Sequence, residues 1–453
     1  MKRTSQLKLS TTQTVMLSFF LAILIGSILL ALPFSSQNGE TVPYIDALFT
    51  ATTSVCVTGL VTLPTVSTWS VIGQIIILIL IQIGGLGIIT IMFGFMIGFH
   101  RKLGLGDRIL IQDAFNLNTL SGLVKFIRKV LIGTFVVEGI GALLYMTVFI
   151  PEYGTRGIWI SIFNSISAFC NAGIDIMAED SLCAYALNPI VNITTCLLII
   201  LSGIGYVVWW DFIRVFRKFK YQKWRCFRNL TLHSKIALSA TVFFIATGTL
   251  LFFIFEYNNP LTIAEYPFLG KLQAAFFQSI TTRTAGFATL PQQNLTNASA
   301  IVSLLLMFIG GAPVGTAGGI KTVTIVVLAA SAFATIRNKE DVILFHRTIS
   351  KRAISKAVAV TSISFMVMFT STVLLAAVTD ANALDIVYET MSATATVGLT
   401  RNLTPTLNLW GKIIIIVTMY LGRVGPISLL LAFNTQKEKK NIIKNPTEEI
   451  SIG

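Results

Sequence analysis

Four short stretches share one pattern: TSVCVTGL at 53–60, SAFCNAGI at 167–174, TTRTAGF at 281–287 and SATATVGL at 392–399. In each, Ser and Thr residues precede a glycine, and the four glycines, Gly59, Gly173, Gly286 and Gly398, recur at intervals of 114, 113 and 112 residues. A nearly constant interval is typical of an internal repeat. The chain is therefore predicted to contain four copies of one structural unit, each with its own glycine turn.

The composition of the chain indicates a membrane protein. Hydrophobic residues make up 54% of the sequence and charged residues 12%, whereas soluble domains carry roughly 25% charged residues. A bilayer-spanning helix needs about 20 mainly apolar residues, and eight runs of about that length are present. No small-residue cleavage site follows the first run, 14–34, so we expect a retained helix there rather than a signal peptide. Five cysteines without a CxxC motif predict neither a disulfide framework nor a zinc site.

The net charge of +14 is distributed unevenly along the chain. Of the 34 Lys and Arg residues, 27 lie in the N-terminus, at 100–130, 214–235 and 337–356, and in the C-terminal tail. The segments that contain the glycine turns hold five Lys and Arg residues. Because basic loops stay on the cytoplasmic side, we expect both termini in the cytoplasm and all four turns on the outer side of a bacterial cytoplasmic membrane. Basic segments that alternate with weakly charged ones argue against nucleic-acid binding. The basic loops determine the topology first, and membrane lipids or a partner are their second expected contact.

The same division predicts the order of elements in each repeat: a spanning helix, a segment too short to span, the glycine turn and a second spanning helix. The helix pairs are 14–34 with 69–99, 126–150 with 188–213, 235–256 with 298–336, and 353–378 with 408–433. The short segments, 43–53, 158–168, 269–281 and 383–393, match re-entrant helices. We therefore expect an all-α membrane protein with eight spanning helices, four re-entrant helices and pseudo-fourfold symmetry around one pore. The repeats are bounded at 1–122, 123–231, 232–346 and 347–435, and a cytoplasmic tail follows at 436–453.

The backbone of the turns is the predicted ion-binding site. A dehydrated cation needs several oxygen ligands, which rings of backbone carbonyls supply without net charge. Glycine permits the bend that aims these carbonyls at one axis, and the negative C-terminal end of each short helix favours a cation there. Ordinary turns between helices are the alternative, but four in register on one side favour a cation pore. The predicted filter residues are Val57, Thr58, Gly59, Asn171, Ala172, Gly173, Thr284, Ala285, Gly286, Thr396, Val397 and Gly398.

The second helix of repeat three is interrupted by a segment that we call the Gly-rich segment, 310–319. Five glycines and a proline cannot hold a regular helix, which favours a flexible gate in the pore over a packing kink. Its residues are Gly310, Gly311, Ala312, Pro313, Val314, Gly315, Thr316, Ala317, Gly318 and Gly319. The run that continues to Lys321 lacks the glycine that a phosphate-binding loop has before its lysine. We therefore expect this chain to bind no nucleotide.

Ionisable residues within the hydrophobic runs are functional candidates, because burying charge in a bilayer is costly. Arg423 is predicted to face the pore cavity and repel cations until it is neutralised, with snorkelling to the inner surface as the alternative. Lys321 either contacts the same region or snorkels. Glu138 and Glu389 are expected in structural ion pairs with basic partners, and Arg283 is expected to brace its own turn through carbonyl hydrogen bonds.

The repeats resemble the Trk/Ktr/HKT superfamily of potassium transporters, and most closely the membrane subunit of bacterial Ktr-type systems. The stretches that carry this resemblance are TTSVCVTGL, FNSISAFCNAGI, FQSITTRTAGF, MSATATVGLT and IGGAPVGTAGGIKT at 309–322. The resemblance implies potassium selectivity from Gly59 in the first turn, a gating role for the Gly-rich segment, and a cavity arginine at Arg423. It also implies a homodimer with one pore in each protomer, assembled on a cytoplasmic ring of nucleotide-binding regulatory subunits.

We therefore expect this chain to take up potassium inward. A sodium-selective or poorly selective channel of the same architecture is the main alternative, because carbonyl rings do not by themselves determine which ion is preferred. The sequence also leaves open whether sodium is a coupling ion. A polytopic membrane enzyme is disfavoured, because no nucleophile or acid–base cluster is found at a membrane face and the four turns would be unexplained.

Overall fold

The computed structural model describes residues 11–98, 122–178, 180–219 and 223–425. These residues form an almost entirely helical protein, with a single two-stranded hairpin of β1 (Ile343–Leu344) and β2 (Arg347–Thr348) in the described ranges. The predicted tail at 436–453 and most of the basic segment at 100–130 lie outside the described residues. The helices are α1 Thr11–Ala31, α2 Tyr44–Cys56, α3 Thr65–Thr68, α4 Val71–Leu86, α5 Ile88–Gly98, α6 Leu123–Tyr153, α7 Arg156–Cys170, α8 Pro189–Ile204, α9 Tyr206–Phe216, α10 Leu232–Glu256, α11 Phe268–Thr281, α12 Asn297–Phe308, α13 Thr322–Ile336, α14 Lys351–Val378, α15 Ala383–Ala395 and α16 Leu409–Val424.

Four of the described helices are long and apolar enough to cross a membrane. They are α1, α6, α10 and α14, with 21, 31, 25 and 28 residues. Each is followed by one of the short helices α2, α7, α11 and α15, which have 13 to 15 residues. At about 1.5 Å per residue, a helix of this length is too short for a hydrocarbon core of about 30 Å.

The second helices of repeats one and two are broken, and the prediction of continuous spans at 69–99 and 188–213 was wrong. The first breaks between α4 and α5 at Gly87, and the second between α8 and α9 at Gly205, where the chain bends by 94°. Gly87 has a φ of +81° and Gly205 a φ of +91°, values that leave the helical region and that glycine reaches without steric cost. In the last repeat α16 ends at Gly425, which has a φ of +88°.

The beginnings of these helices follow local sequence. Side chains of Ser, Thr or Asn cap α4, α8, α10, α12, α14, α15 and α16, each accepting a hydrogen bond from a backbone N–H of the first turn. Such a cap satisfies an amide that the helix leaves unpaired. These polar caps therefore determine where each apolar run begins as a helix.

Packing between the repeats follows a closed cycle. Within each repeat, the spanning helix packs on the short helix that follows it: α1 on α2, α6 on α7, α10 on α11 and α14 on α15. Between repeats, the helix after each turn packs on the short helix of the next repeat: α4 on α7, α8 on α11, α12 on α15, and α16 back on α2. The ends of the four short helices are thereby brought together at one place in the molecule.

Candidate functional site

Each of the four turns contains a residue in the left-handed conformation; it directly follows the short helix in repeats one, two and four, and lies three residues after α11 in repeat three. The residue two positions before each glycine lies in the left-handed region, with φ values of 53° at Val57, 58° at Asn171, 66° at Thr284 and 51° at Thr396. The glycines that follow have φ values of 97°, 63°, 83° and 97° in chain order. A β-branched residue rarely adopts a positive φ, and such strain tends to be concentrated at functional sites.

The four glycines lie against one another in a ring. A Cβ added at Gly59 would meet the carbonyl oxygen of Ala172, and one added at Gly173 would meet that of Ala285. In the same way Gly286 faces the carbonyl of Val397, and Gly398 faces that of Thr58. Every one of these distances would be 2.6 Å or less. Each glycine thus abuts the residue that precedes the glycine of the next repeat, and the fourth contact returns to the first repeat.

Hydroxyl groups hold the turns from behind. Thr53 Oγ1 accepts from the N–H of Gly59 at 2.9 Å, and Ser392 Oγ accepts from the N–H of Gly398 at 3.0 Å. Ser167 Oγ and Thr281 Oγ1 donate to the carbonyl oxygens of Ile174 and Phe287, each at 2.5 Å. The Ser and Thr clusters of the sequence motif therefore anchor the turns, a role that the sequence analysis did not assign.

Several side-chain oxygens at the turns are buried without a hydrogen-bond partner among the described residues. They include Oγ1 of Thr58, Thr284 and Thr396. Buried polar atoms are almost always paired with protein or water, so unpaired hydroxyls in three of the four turns fit a place where water or a cation is held. Within the described residues, no group of three or more His, Cys, Asp or Glu side chains could hold a metal ion.

A cavity of about 490 Å³ lies directly above the ring and is lined by all four glycines. Asp175, two residues after Gly173, also lines it and is buried. Burial raises the pKa of the Asp175 carboxyl to about 6, although hydrogen bonds from Ser181 and from the amides of Met177 and Ala178 oppose this shift. A buried carboxyl group therefore lies beside the cavity at the entrance to the ring.

The Gly-rich segment forms a loop that lies below the turns. The two ends of the loop are joined by hydrogen bonds from Gly310 N to Ile320 O at 2.9 Å and from Thr322 N to Gly311 O at 3.0 Å. The loop then reaches the break between α8 and α9, where Tyr206 N donates to Val314 O at 3.0 Å. A Cβ added at Gly318 would collide with Oγ1 of Thr396 in the fourth turn. The segment predicted as a gate therefore touches the ring and the Gly205 break.

Three cationic side chains hold this loop. Arg423 donates to Thr316 O at 2.7 Å and to Gly84 O at 2.5 Å, while Lys321 Nζ donates to Ala317 O at 2.6 Å and to Gly318 O at 3.3 Å. Arg283 Nη2 donates to Gly310 O at 3.4 Å. The expectation that Arg283 braces its own turn was wrong, since its hydrogen bond goes to Gly310 at the start of the Gly-rich segment.

The expected ion pairs of Glu138 and Glu389 are absent from the described part of the chain. Glu138 accepts from Nε2 of Gln82 at 3.1 and 3.2 Å. Glu389 accepts from the hydroxyls of Thr400 and Thr404. The ion pairs that do form in the described ranges join Arg214 to Asp211, Arg401 to Asp385 and Lys412 to Asp46. Neutral donors thus replace the basic partners that the sequence analysis predicted for both glutamates.

Comparison with known proteins identifies the family. The model of the TrkH family, described as "Cation transport protein", matches residues 2–445. The chain belongs to the TrkH family of cation transport proteins. It is 38% identical to the Enterococcus hirae "Potassium/sodium uptake protein NtpJ", over 100% of this chain and 99% of that protein. It is also 38% identical to the Bacillus subtilis "Ktr system potassium uptake protein B", over 97% of this chain and 96% of that protein.

A solved structure shares the fold of this TrkH-family chain. The crystal structure of the potassium transporter TrkH from Vibrio parahaemolyticus superposes with a TM-score of 0.74 at 16% identity, covering 96% of this chain and 87% of that one. The resemblance to Trk and Ktr proteins drawn from the four turns and the stretch 309–322 is therefore confirmed at the level of family and fold. The family comprises cation transporters and is not an enzyme family.

Proposed function

We propose that this chain takes up potassium across the cytoplasmic membrane through a selectivity filter made by the four glycine turns. The observation that carries this proposal is the closed cycle in which each glycine abuts the carbonyl of the next repeat. A ring of carbonyl oxygens replaces the water of a cation without burying a compensating charge. The cyclic packing of the helices supports pseudo-fourfold symmetry around one pore, with the four short helices as re-entrant helices.

The twelve predicted filter residues would act mainly through their backbone. Because Thr53, Ser167, Thr281 and Ser392 bind the turns from behind, the carbonyls at the axis are left for the ion. The four short helices point their C-terminal ends at the ring, and the negative ends of their dipoles favour a cation. Potassium is the transported substrate in this proposal and not a resident cofactor.

The Gly-rich segment and Arg423 would form the gate. The loop lies directly under the turns, and the charge of Arg423 is held beside it by Thr316 and Gly84. Five glycines allow the loop to change its backbone path with little steric cost. Deleting Gly311–Ala317 should therefore raise basal cation flux in liposomes, and a flux equal to that of the intact chain would contradict the gate.

The proposal includes partners and a topology. The phrase "Ktr system" in the names of three relatives supports a second component, which we propose is a cytoplasmic, nucleotide-binding ring that carries a homodimer of this chain. The four turns would face outward and both termini the cytoplasm. The chain itself would bind no nucleotide, and sodium stays a candidate coupling ion.

Sodium transport is the second candidate function. It is favoured by the name of the E. hirae relative, a potassium/sodium uptake protein, and by the fact that the carbonyl geometry alone does not exclude sodium. The two candidates differ in the ion that competes for uptake.

Potassium-limited growth tests the main proposal. A bacterium without its own potassium uptake would carry the native chain, its Gly59→Ser variant or its Gly39→Ala variant, each with and without a Ktr regulatory subunit. Gly59 lies in the ring, whereas Gly39 also has a positive φ but nothing within 4 Å of an added Cβ. We expect rescue by the native chain and by Gly39→Ala, and weaker rescue by Gly59→Ser at low potassium. Failure of the native chain even with the subunit, despite membrane expression, would overturn the potassium assignment.

A further inference from the structure

Glu138 is a carboxylate in an unusual position in the membrane-spanning helix α6. The residue is 4% exposed, and its two carboxylate oxygens lie 3.1 and 3.2 Å from the amide nitrogen of Gln82 on α4. No basic side chain pairs with it in the described part of the chain. An ionisable group buried without a counter-charge is expensive in a membrane and usually has a function.

The hydrogen bonds of Glu138 lead to the second glycine turn. The Cys170 thiol donates to Oε1 of Gln82 at 3.4 Å and lies 4.0 Å from Oε1 of Glu138. Cys170 is the last residue of α7, and Asn171 follows it with a φ of 58°. The hydroxyl of Ser165, on the same short helix, donates to the backbone carbonyl of Glu138 at 2.6 Å. Two contacts therefore tie α6 to the end of the helix that presents this turn.

The residues of α4 that follow Gln82 pack closely against the start of the second turn. A Cβ added at Gly85 would lie 2.5 Å from the sulfur of Cys170, so the backbone of α4 lies directly against the start of the turn. The carbonyl of Gly84 accepts from Arg423. Gln82 is thus held on a helix segment whose own position is determined on one side by Cys170 and on the other by Arg423.

We propose that Glu138 is a positioning residue that holds the turn Asn171–Gly173 at the pore axis through Gln82 and Cys170. This inference rests on the proposed function, because it assumes that the turn is part of the filter. Glu138 acts through hydrogen bonds and not through its charge, since its side-chain partners among the described residues are the amide of Gln82 and the thiol of Cys170. Glu389 makes a different contact at the fourth turn: it lies on the short helix α15 and accepts from Thr400 and Thr404, which follow the turn.

Positioning matters here because a binding site holds its geometry only when the groups behind it are fixed, with a tolerance of about 0.5 Å. The ring gives Gly173 no free space: an added Cβ would approach the backbone of Ala285 and Gly286 in the next repeat. Loss of the hydrogen bonds behind Cys170 would let the second turn shift and would widen one side of the ring. Sodium and potassium would then be discriminated less well, while the rest of the pore would stay assembled.

The test compares Glu138→Leu, Glu138→Gln, Gln82→Leu and the double variant Glu138→Leu/Gln82→Leu with the native chain in proteoliposomes. Rubidium uptake is measured in competition with potassium and with sodium. We expect Glu138→Leu and Gln82→Leu each to lower the preference for potassium about tenfold, the effect of one buried hydrogen bond. Glu138→Gln should keep the native preference within about twofold, and the double variant should be no worse than either single variant, because all three disrupt one linkage.

The outcomes separate this inference from the proposed function. If potassium did not compete with rubidium for uptake by the native chain, the proposed function itself would be contradicted. A native preference in Glu138→Leu, or a loss in Glu138→Gln as large as in Glu138→Leu, would overturn the positioning role while leaving the proposed function intact. Should Glu138→Leu fail to reach the membrane, Gln82→Leu decides the matter, because an unchanged preference there removes the linkage to Cys170.

Discussion

Arg423 and Thr316 are joined by a hydrogen bond of 2.7 Å from the guanidinium to the backbone carbonyl, although 107 residues separate them in the chain. The hydroxyl of Thr316 in turn donates to Phe169 O at 3.2 Å, one residue before Cys170. The centre of the Gly-rich segment is therefore attached both to the last helix of repeat four and to the short helix of repeat two. A movement of Arg423 would change the path of the loop and the support of the second turn together.

Replacing Arg423 by Ala should open the pathway. A hydrogen bond to a charged group contributes about 1.5–3 kcal/mol, and about 1.4 kcal/mol changes a population tenfold. Loss of the bonds to Thr316 and Gly84, together with loss of the charge, should raise basal rubidium flux by about tenfold or more in proteoliposomes. Arg214→Ala is the matched control, because Arg214 has a 61% exposed side chain and forms its ion pair with Asp211, away from the Gly-rich segment. A basal flux equal to that of the native chain in the Arg423→Ala variant would contradict the role of Arg423 in closing the pathway.

Replacing Gly205 by Ala should also displace the Gly-rich segment, this time through the break between α8 and α9 rather than through Arg423. Gly205 has a φ of +91°, and an added Cβ would collide with the carbonyl of Pro313. Because the backbone on both sides is constrained, we expect the loop to give way and basal flux to rise. Gly139→Ala is the control, since Gly139 lies within α6 and has nothing within 4 Å of an added Cβ. Equal flux in the two variants would show that the break does not hold the loop.

The helix breaks at Gly87 and Gly205 could not be predicted from the sequence. The repeat, the four short helices and the Gly-rich segment were predictable because each leaves a signal in composition or spacing. The bends at Gly87 and Gly205 were not, because a single glycine in an apolar run is compatible with an unbroken membrane helix. Only the approach of another backbone, such as Pro313 O at Gly205, explains why glycine is needed there.

The candidate site divides in the same way. The glycines were visible as a period, but their order around a ring depends on contacts between residues more than 100 positions apart. The partners of the buried charges were also beyond the sequence. Glu138 was expected to find a basic residue, yet its partner Gln82 is neutral and lies on another helix. Sequence identifies which buried ionisable groups need partners, whereas only tertiary packing identifies the partners.

Alanine in place of a ring glycine should impair selectivity beyond the cost of backbone strain. Gly398 has a φ of +97°, and an added Cβ would collide with the carbonyl of Thr58. Gly39→Ala measures strain alone, since an L-residue in the left-handed region costs about 1–2 kcal/mol and the space around Gly39 is open. We expect Gly398→Ala to lose the preference for potassium over sodium in competition assays and Gly39→Ala to retain it. A similar loss in both would mean that strain and not the ring contact is responsible.

External acidification should slow uptake through Asp175. Its carboxyl has a pKa raised to about 6 by burial, so it is charged at pH 7 and largely neutral at pH 5. Within the described residues, it lines the cavity above the ring together with Asp180 and Cys183, and Tyr145 is a further titratable group close to it. A charge about 4 Å from a cation contributes roughly 1 kcal/mol in water and about 4 kcal/mol near a protein surface. At potassium concentrations below saturation, uptake should therefore fall severalfold as the external pH decreases from 7 to 5.

The Asp175→Asn variant separates this effect from other effects of acid. Its uptake at pH 7 should already be low and should change little down to pH 5, because the group that titrates near pH 6 is gone. Glu40→Gln, which removes an exposed carboxylate from the loop that precedes the first short helix, should keep the pH dependence of the native chain. The comparison must be made at low potassium, since saturating ion would mask a change in local cation concentration. If Asp175→Asn kept a native decline with acid, the proton would act elsewhere on the pathway.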